Sequence, residues 1–334
     1  MMKTQHPGEH VRILALRETA PLLIAFGVDM LGEPSPAIHP VVWYGKLIRA
    51  LESRAPRTPR AQLLYGLCMP LLAAPAALLP AYLIEMGGRE LRTLVRRRGY
   101  PLAGEVLSAL LKGGSLKPFF ALRMLVLAGR SIRHALERHD LPAARLALLH
   151  LVSRDRSDLS EELVAAAAIE SLAENVSDSV VAPVFYYLLW GLPGAAAYRL
   201  FNTFDSMIGY HGHYEYLGKA AARLDDILNL LPSRLTALLI IALAPLFGGN
   251  RRSAYRIWRR DAGKTESPNA GHPMAAAAGA FEIQLEKVNF YRLGDASTRI
   301  TPAHIRQAER MVQWVGGSMF LLAALVKICL RFRR

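Results

Sequence analysis

The stretch from Ala61 to Ile84 reads AQLLYGLCMPLLAAPAALLPAYLI and carries no charged side chain between Arg60 and Glu85. A bilayer core about 30 Å thick takes roughly 20 residues of helix to cross, so this stretch is long enough to span. Three more charge-free windows follow: Ser179–Tyr198, Leu235–Asn250 and Met311–Val326, the last reaching Leu330 if Lys327 snorkels. Ser179–Tyr198 is long enough outright and the other two are marginal. Four such windows in one chain are rare in a soluble protein. They predict an all-α, polytopic integral membrane protein with amphipathic cytoplasmic helices; the alternative is a large soluble α-protein that buries some of them. Pro70, Pro75, Pro80, Pro193 and Pro245 interrupt the windows, so kinked or re-entrant helices are expected. Ala20–Val28 is apolar but too short to span alone.

Composition agrees. The chain has 334 residues and a formal charge of +14, with 52% hydrophobic and 20% charged residues, which excludes a disordered tail, a collagen-like fibre and a disulfide scaffold. Cys68 and Cys329 both lie in apolar stretches, where neither a zinc cluster nor a disulfide is expected. The basic excess lacks a recognition motif with interleaved aromatics, so no nucleic-acid partner is expected. Much of it flanks the windows, at Arg57–Arg60, Arg89–Arg98 and Arg251–Arg260, where it can meet acidic lipid head groups. Arg251, Arg252, Arg256, Arg259 and Arg260 mark their segment as cytoplasmic, but arginines on both sides of the first window leave the overall orientation open. Met1–Arg17 is polar and does not read as a cleavable signal peptide. Leu122, Leu125, Val126, Ile132 and Leu136, then Leu146 and Leu149, recur at helical steps. No strand alternation or internal repeat interrupts the pattern, and one continuous domain over 1–334 is expected.

Polar residues suited to chemistry gather in four stretches. In IESLAENVSDSVVAP, Glu170, Glu174 and Asp178 recur every four residues, which puts three carboxylates on one helical face. Like charges at that spacing destabilise a helix unless a cation or basic ligand offsets them. The alternative has Asp178 capping an apolar helix that starts near Val180, with both glutamates solvated. In YRLFNTFDSMIGYHGHYEYLGKAAARLDDILNLLPSRL, Asn202 and Asp205 are three apart, and Asp225, Asp226 and Asn229 fall close together. Carboxylate and amide oxygens suit a hard cation such as Mg²⁺, which also binds substrate phosphates. Arg199, Arg223 and Arg234 lie nearby in sequence and match phosphate or carboxylate geometry, or they form salt bridges with these acids. Ser267–Gly271, SPNAG, has the composition of an anion-binding nest and equally that of an ordinary loop. In LGEPSPAIHP, with Asp29 and Glu33 nearby, His39 before a proline suits a cap or core position as well as a ligand contact.

Other motifs fail. Gly263-Lys264-Thr265 would end a Walker A loop, but Trp258 stands where its first glycine is needed. No His-Glu-x-x-His or Gly-x-Ser-x-Gly occurs, which leaves zinc and serine hydrolases unsupported.

The segments LGEPSPAIHPVVWYGKLI, VSRDRSDLSEELVAAAAIESLAENVSDSVVAPVFYY, YRLFNTFDSMIGY, YLGKAAARLDDILNLLPSRL and SPNAGHPMAAAAGAF stand in the order of successive signatures of one family. The chain resembles the adenosylcobinamide-phosphate synthases, the membrane-bound cobalamin-biosynthesis family also called CobD or CbiB. The resemblance spans nearly the whole chain. It implies an ATP-dependent amide ligase that joins adenosylcobyric acid to (R)-1-amino-2-propanol O-phosphate, or a similar amino alcohol, through an acyl phosphate. ATP and Mg²⁺ are then the expected cofactors. The expected setting is the cell inner or plasma membrane with the site facing the cytoplasm, and other cobalamin-assembly proteins or a second copy are expected partners.

Residue by residue, the resemblance implies catalytic roles for Glu170, Glu174, Asp178, Asp205, Asp225 and Asp226, with Asp205, Asp225 and Asp226 on the metal. It implies substrate or phosphate contacts for His39, Asn175, Asn202, Arg223, Asn229, Arg234, Ser267, Asn269 and Gly271, and it also covers Arg154–Asp155. The chain departs from the family at Glu33, where Asp is common, at Phe204 in NTFD, and at Glu286–Lys287, where a glycine pair is usual. A non-enzymatic membrane signalling relative linked to β-lactamase regulation and a small-solute transporter are the competing classes.

Overall fold

A computed structural model describes residues 7–149, 151–152 and 158–332. The described chain is almost entirely helical, and the order of its elements follows the sequence. It begins with α1 (Pro7–Asp29), α2 (Pro40–Glu52), α3 (Pro59–Arg97), α4 (Pro101–Leu116), α5 (Leu122–Glu137) and α6 (Leu141–Leu148). Then come α7 (Glu161–Val176), α8 (Ala182–Ile208), α9 (Lys219–Leu243), α10 (Arg251–Asp261) and α11 (Gly271–Phe281). A hairpin of β1 (Leu285–Lys287) and β2 (Tyr291–Leu293) precedes α12 (Pro302–Phe332). The protein is all-α and polytopic: Pro59–Arg97, Glu161–Ile208, Lys219–Phe247 and Pro302–Leu330 are long and apolar enough to cross a membrane. The two marginal windows reach spanning length because the segments before them, Lys219–Arg234 and Pro302–Arg310, belong to the same helices. Cys68 and Cys329 are free thiols.

The contacts cluster into two compact units, each assembled from separate segments. The first holds the chain up to Phe120, Pro183–Asp225 and the chain from Phe320 onward; the second holds Ala121–Ala182 and Asp226–Met319.

In the first unit α4 packs against α1 and α3. The reason lies in the side chains of α3. Gly66, Met69, Ala73, Ala77, Ala81 and Gly88 are buried at three- to four-residue steps or multiples of them, while Leu64, Leu67, Leu71, Leu72, Tyr82 and Leu83 are exposed. Mostly small residues inward and large apolar ones outward is the arrangement of a helix that meets protein on one face and lipid on the other. The approach is close enough to require glycine: a Cβ on Gly66 would stand 2.1 Å from the Leu217 carbonyl oxygen. The expected proline breaks differ in kind. Helix α3 continues through Pro70, Pro75 and Pro80, whereas α8 breaks at Gly191 (φ 67°, ψ −153°), two residues before Pro193. Pro245 lies in a 3₁₀ turn, Ala244–Phe247, that follows α9.

In the second unit α7 is the central helix. Ser160 caps it through a bond from the Leu163 amide (3.3 Å), and the run from Val164 to Ala173 is buried against α5, α6, α11 and β1. Helix α5 is tied to α12 by Arg133, whose Nε donates to Glu309 at 2.7 Å. The hairpin was not legible in the sequence, because strands of three residues are too short to show alternation. Its register pairs Leu285 with Leu293, Glu286 with Arg292 and Lys287 with Tyr291. The departure at Glu286–Lys287 therefore lies in a strand, with Glu286 paired to Arg292 at 2.9 Å.

Candidate active site

Glu170 and Glu174 lie on α7, and Asp178, just beyond its end, owes its setting to a proline. Pro183 has no N–H to offer the Ser179 carbonyl four residues back, and its ring would crowd that oxygen. The chain responds with a π-helical turn over Ser177–Val181, in which the Ala182 amide bonds to the Ser177 carbonyl. The released Ser179 carbonyl accepts the Ala121 amide at 2.9 Å. Asp178 thus lies inside a continuous winding, which corrects the alternative in which it caps a helix starting near Val180. Glu170 is buried and Glu174 and Asp178 are half-buried, so both glutamates are not simply solvated. Asn175 donates to the Ser171 carbonyl at 2.9 Å.

Also in the second unit, Asn269 organises the SPNAG loop. It is buried; its Nδ2 donates to the Asp226 main-chain carbonyl at 2.7 Å, and its Oδ1 accepts from Arg234 at 3.0 Å and Ser233 at 3.3 Å. Arg234 reaches the Pro268 carbonyl as well, at 3.3 Å. Within the loop the Asn269 and Ala270 amides donate to Ser267 Oγ, and the Gly271 amide donates to Thr265 Oγ1. These amides, which the anion-nest reading would turn towards a ligand, are taken up by the loop's own hydroxyls. Gly271 is needed for packing, since a Cβ there would stand 2.2 Å from the Ala262 carbonyl oxygen. Asn229 is buried on α9.

His272 follows the loop. Its Nδ1 accepts the Trp258 indole N–H at 2.9 Å, which leaves the proton of the neutral ring on Nε2. Burial, with Arg234 nearby, pulls its pKa down to about 4. Asp261, the last residue of α10, is fully buried and bonded by Arg260 (2.7 Å), Lys264 and the Gly294 amide (2.8 Å). Burial pushes its carboxyl up, but these bonds outweigh it and hold the pKa at about 2.

In the first unit α8 and α9 meet through Asn202 and Asp225. Asn202 Nδ2 donates to Asp225 Oδ1 at 3.2 Å, and Arg199 donates to Asn202 Oδ1 at 3.3 Å. Asp205, one turn further along α8, is half-exposed. Gly209 leaves room for it: a Cβ at that position would lie 2.1 Å from Asp205 Oδ1. Arg223 is exposed on α9. His39 accepts the Val41 amide at 3.3 Å as the N-cap of α2 and stands 3.4 Å from Glu33. The Arg154–Asp155 pair lies outside the described residues.

The expected metal set is corrected in one respect. Among the described residues no three His, Cys, Asp or Glu side chains converge as a preformed metal site. Asp225 and Asp226 are consecutive on α9, and adjacent helical residues do not face the same way.

Comparison with known proteins gives the chain its family. The CobD/Cbib protein family matches residues 22–313. The chain belongs to the CobD/Cbib family. It is 43% identical to the cobalamin biosynthesis protein CobD of Dehalococcoides mccartyi over 85% of this chain and 89% of that one. It is 40% identical to the probable cobalamin biosynthesis protein CobD of Methanothermobacter thermautotrophicus, over 84% and 88%. With the cobalamin biosynthesis protein CobD of Geobacter metallireducens the identity is 39%, over 92% and 96%. No solved structure matches the chain.

Three features of this CobD/Cbib protein escaped the sequence reading. Lys117 is buried and pairs with both Asp29 (3.0 Å) and Glu33 (2.8 Å); a single lysine just after an apolar helix is its only local signal. His272 was legible only as the residue after SPNAG, and its tautomer depends on Trp258. Asp261 stood in a segment read for its arginines.

Proposed function

We propose that this CobD/Cbib protein is an ATP-dependent carbon–nitrogen ligase of cobalamin biosynthesis. In this reading it joins adenosylcobyric acid to (R)-1-amino-2-propanol O-phosphate, or a similar amino alcohol, to give adenosylcobinamide phosphate. The observation that supports it best is the chemistry of the polar groups held on α8 and α9: Asn202, Asp205 and Asp225 offer carboxylate and amide oxygens, with no thiolate or imidazole among them. Oxygen donors suit Mg²⁺, which takes one or two carboxylates and completes its shell with water and substrate phosphates. Asp205 and Asp225, both in the first unit, are the residues that would hold it, sharing the task with ATP and water. When bound, it supplies neutralisation of phosphate charge.

Carboxylate and ammonium do not condense in water, so the acid needs activation. A propionate oxygen attacks the γ-phosphorus, the bond to ADP breaks and an acyl phosphate forms. The amine nitrogen, after losing a proton, attacks the acyl carbon, and inorganic phosphate leaves. Arg223 and Arg234 are the cations suited to charge that develops on the transferring phosphoryl group. Glu170, Glu174 and Asp178 are the carboxylates suited to take the amine's proton. Asn175, Asn229, Ser267, Asn269 and Gly271 order the loops and helices that carry these groups, and His39 orders the start of α2. Because ATP and the corrinoid acid are cytoplasmic solutes, the reading puts the chemistry on the cytoplasmic side of the plasma membrane. Other cobalamin-assembly proteins or a second copy would be its partners there.

The test is direct. Purified protein with adenosylcobyric acid, ATP, Mg²⁺ and aminopropanol phosphate should form the amide, read by mass spectrometry, and hydroxylamine should trap an acyl hydroxamate with release of ADP. Release of AMP would replace the acyl phosphate by an adenylate. No amide under any of these conditions would remove the ligase reading.

A further inference from the structure

A cleft in the first unit, apart from every residue assigned above, has the chemistry of a binding site. It has a volume of about 510 Å³ and is walled by the end of α2 (Arg49, Glu52), the connector to α3 (Arg57), the first turn of α3 (Gln62) and the loop after α8 (His213, Tyr214). The walls are fixed. Leu217, in the same loop, has its carbonyl against Gly66 so closely that no side chain fits there, and Tyr214 donates to Glu52 Oε1 at 2.6 Å. Among the described residues neither Arg49 nor Arg57 has a carboxylate partner, and Glu52 has no cationic one. Two unpaired guanidinium groups and one carboxylate without a counter-ion therefore share a single small cleft. Guanidinium forks match phosphate oxygens, and a carboxylate beside them matches an ammonium.

We propose that this cleft binds a small O-phosphorylated amino alcohol, with the phosphate against Arg49 and Arg57 and the ammonium against Glu52. The volume admits a ligand of that size with water beside it and is far too small for a corrinoid. The same chemistry occurs in two places: a free amino-alcohol phosphate and the phosphoethanolamine head group of a lipid. Identifying the soluble form with the amine substrate rests on the ligase reading; binding itself does not.

The experiment follows the thermal unfolding midpoint of the full chain in nanodiscs. A ligand bound only to the folded state raises that midpoint with concentration. In phosphatidylcholine discs, 1-amino-2-propanol phosphate should raise the midpoint of the wild type and leave that of R49Q/R57Q unmoved. E52Q keeps an acceptor for Tyr214; it should bind this probe about tenfold more weakly while binding inorganic phosphate no worse. If only discs containing phosphatidylethanolamine raise the midpoint, and R49Q/R57Q abolishes that rise, the ligand is the lipid head group. A rise that survives R49Q/R57Q, or no rise with either source, overturns the proposal. A wild-type rise without amide formation would keep the cleft and remove the ligase, and amide formation with no dependence on Arg49 and Arg57 would do the reverse.

Discussion

The side-chain amide of Asn269 donates to the main-chain carbonyl of Asp226, 43 positions earlier, at 2.7 Å. One buried side chain thus ties the SPNAG loop to α9, and through Oδ1 it also holds Arg234 and Ser233. N269A would leave those donors and the loop's approach to α9 unsupported. It should destabilise the protein by about 1–3 kcal/mol, as expected when buried polar groups lose their partners. Thermal unfolding in detergent measures the loss. Amide formation should fall more steeply than stability, because Arg234 loses one of the acceptors that orient its guanidinium.

Gly209 makes room for the Asp205 carboxylate and main-chain carbonyl, which a Cβ would meet at 2.1 and 2.6 Å, so G209A forces both to move. G209A and D205N should both abolish ATP-dependent ligation while the protein still purifies as a folded species. Near-normal turnover by D205N would take Asp205 out of the site.

Lys117 is buried between Asp29 and Glu33. Burial raises the Glu33 pKa, but the bonds from His39 and Lys117 more than offset it and hold the carboxyl low. K117M leaves two carboxylates without their cation, which should cost about 3–5 kcal/mol. The triple variant K117M/D29N/E33Q removes the uncompensated charge and should recover much of that loss. Unfolding midpoints of the two variants decide the matter.

His272 is neutral in the folded state, its pKa lowered from 6.5 to about 4. Below pH 6.5 the unfolded chain takes up a proton that the folded chain refuses. The stability linked to this residue is therefore complete above about pH 6.5 and is lost progressively as pH falls towards 4. H272Q keeps an acceptor for Trp258 and should flatten the decline of the unfolding midpoint between pH 7 and pH 4.5. An identical decline in wild type and variant would contradict this assignment.

Local patterns carried much of this protein's character. The charge-free windows marked spanning segments because crossing a bilayer is a matter of length and apolarity, both of which a sequence displays directly. Ordered runs such as AEN-S-D, NT-DSMIGY and SPNAG placed the chain in its family, and they contain most of the residues that the proposed chemistry uses. Tertiary structure alone decided the pairings. Asn202 meets Asp225, Asn269 meets Asp226, and Lys117 meets Glu33 across 84 positions, because helices pack by shape and no residue advertises its distant partner. The π turn shows the boundary between the two. Pro183 was not among the prolines read as breaks, although its missing N–H requires a fault in the helix, and only the neighbouring Ala121 amide, brought there by packing, satisfies the carbonyl that the fault exposes. The arginines followed the same division: as a sum they read as +14 at a membrane surface, whereas their positions separate the guanidinium groups locked by carboxylates, such as Arg133 and Arg260, from the two left unpaired in the cleft.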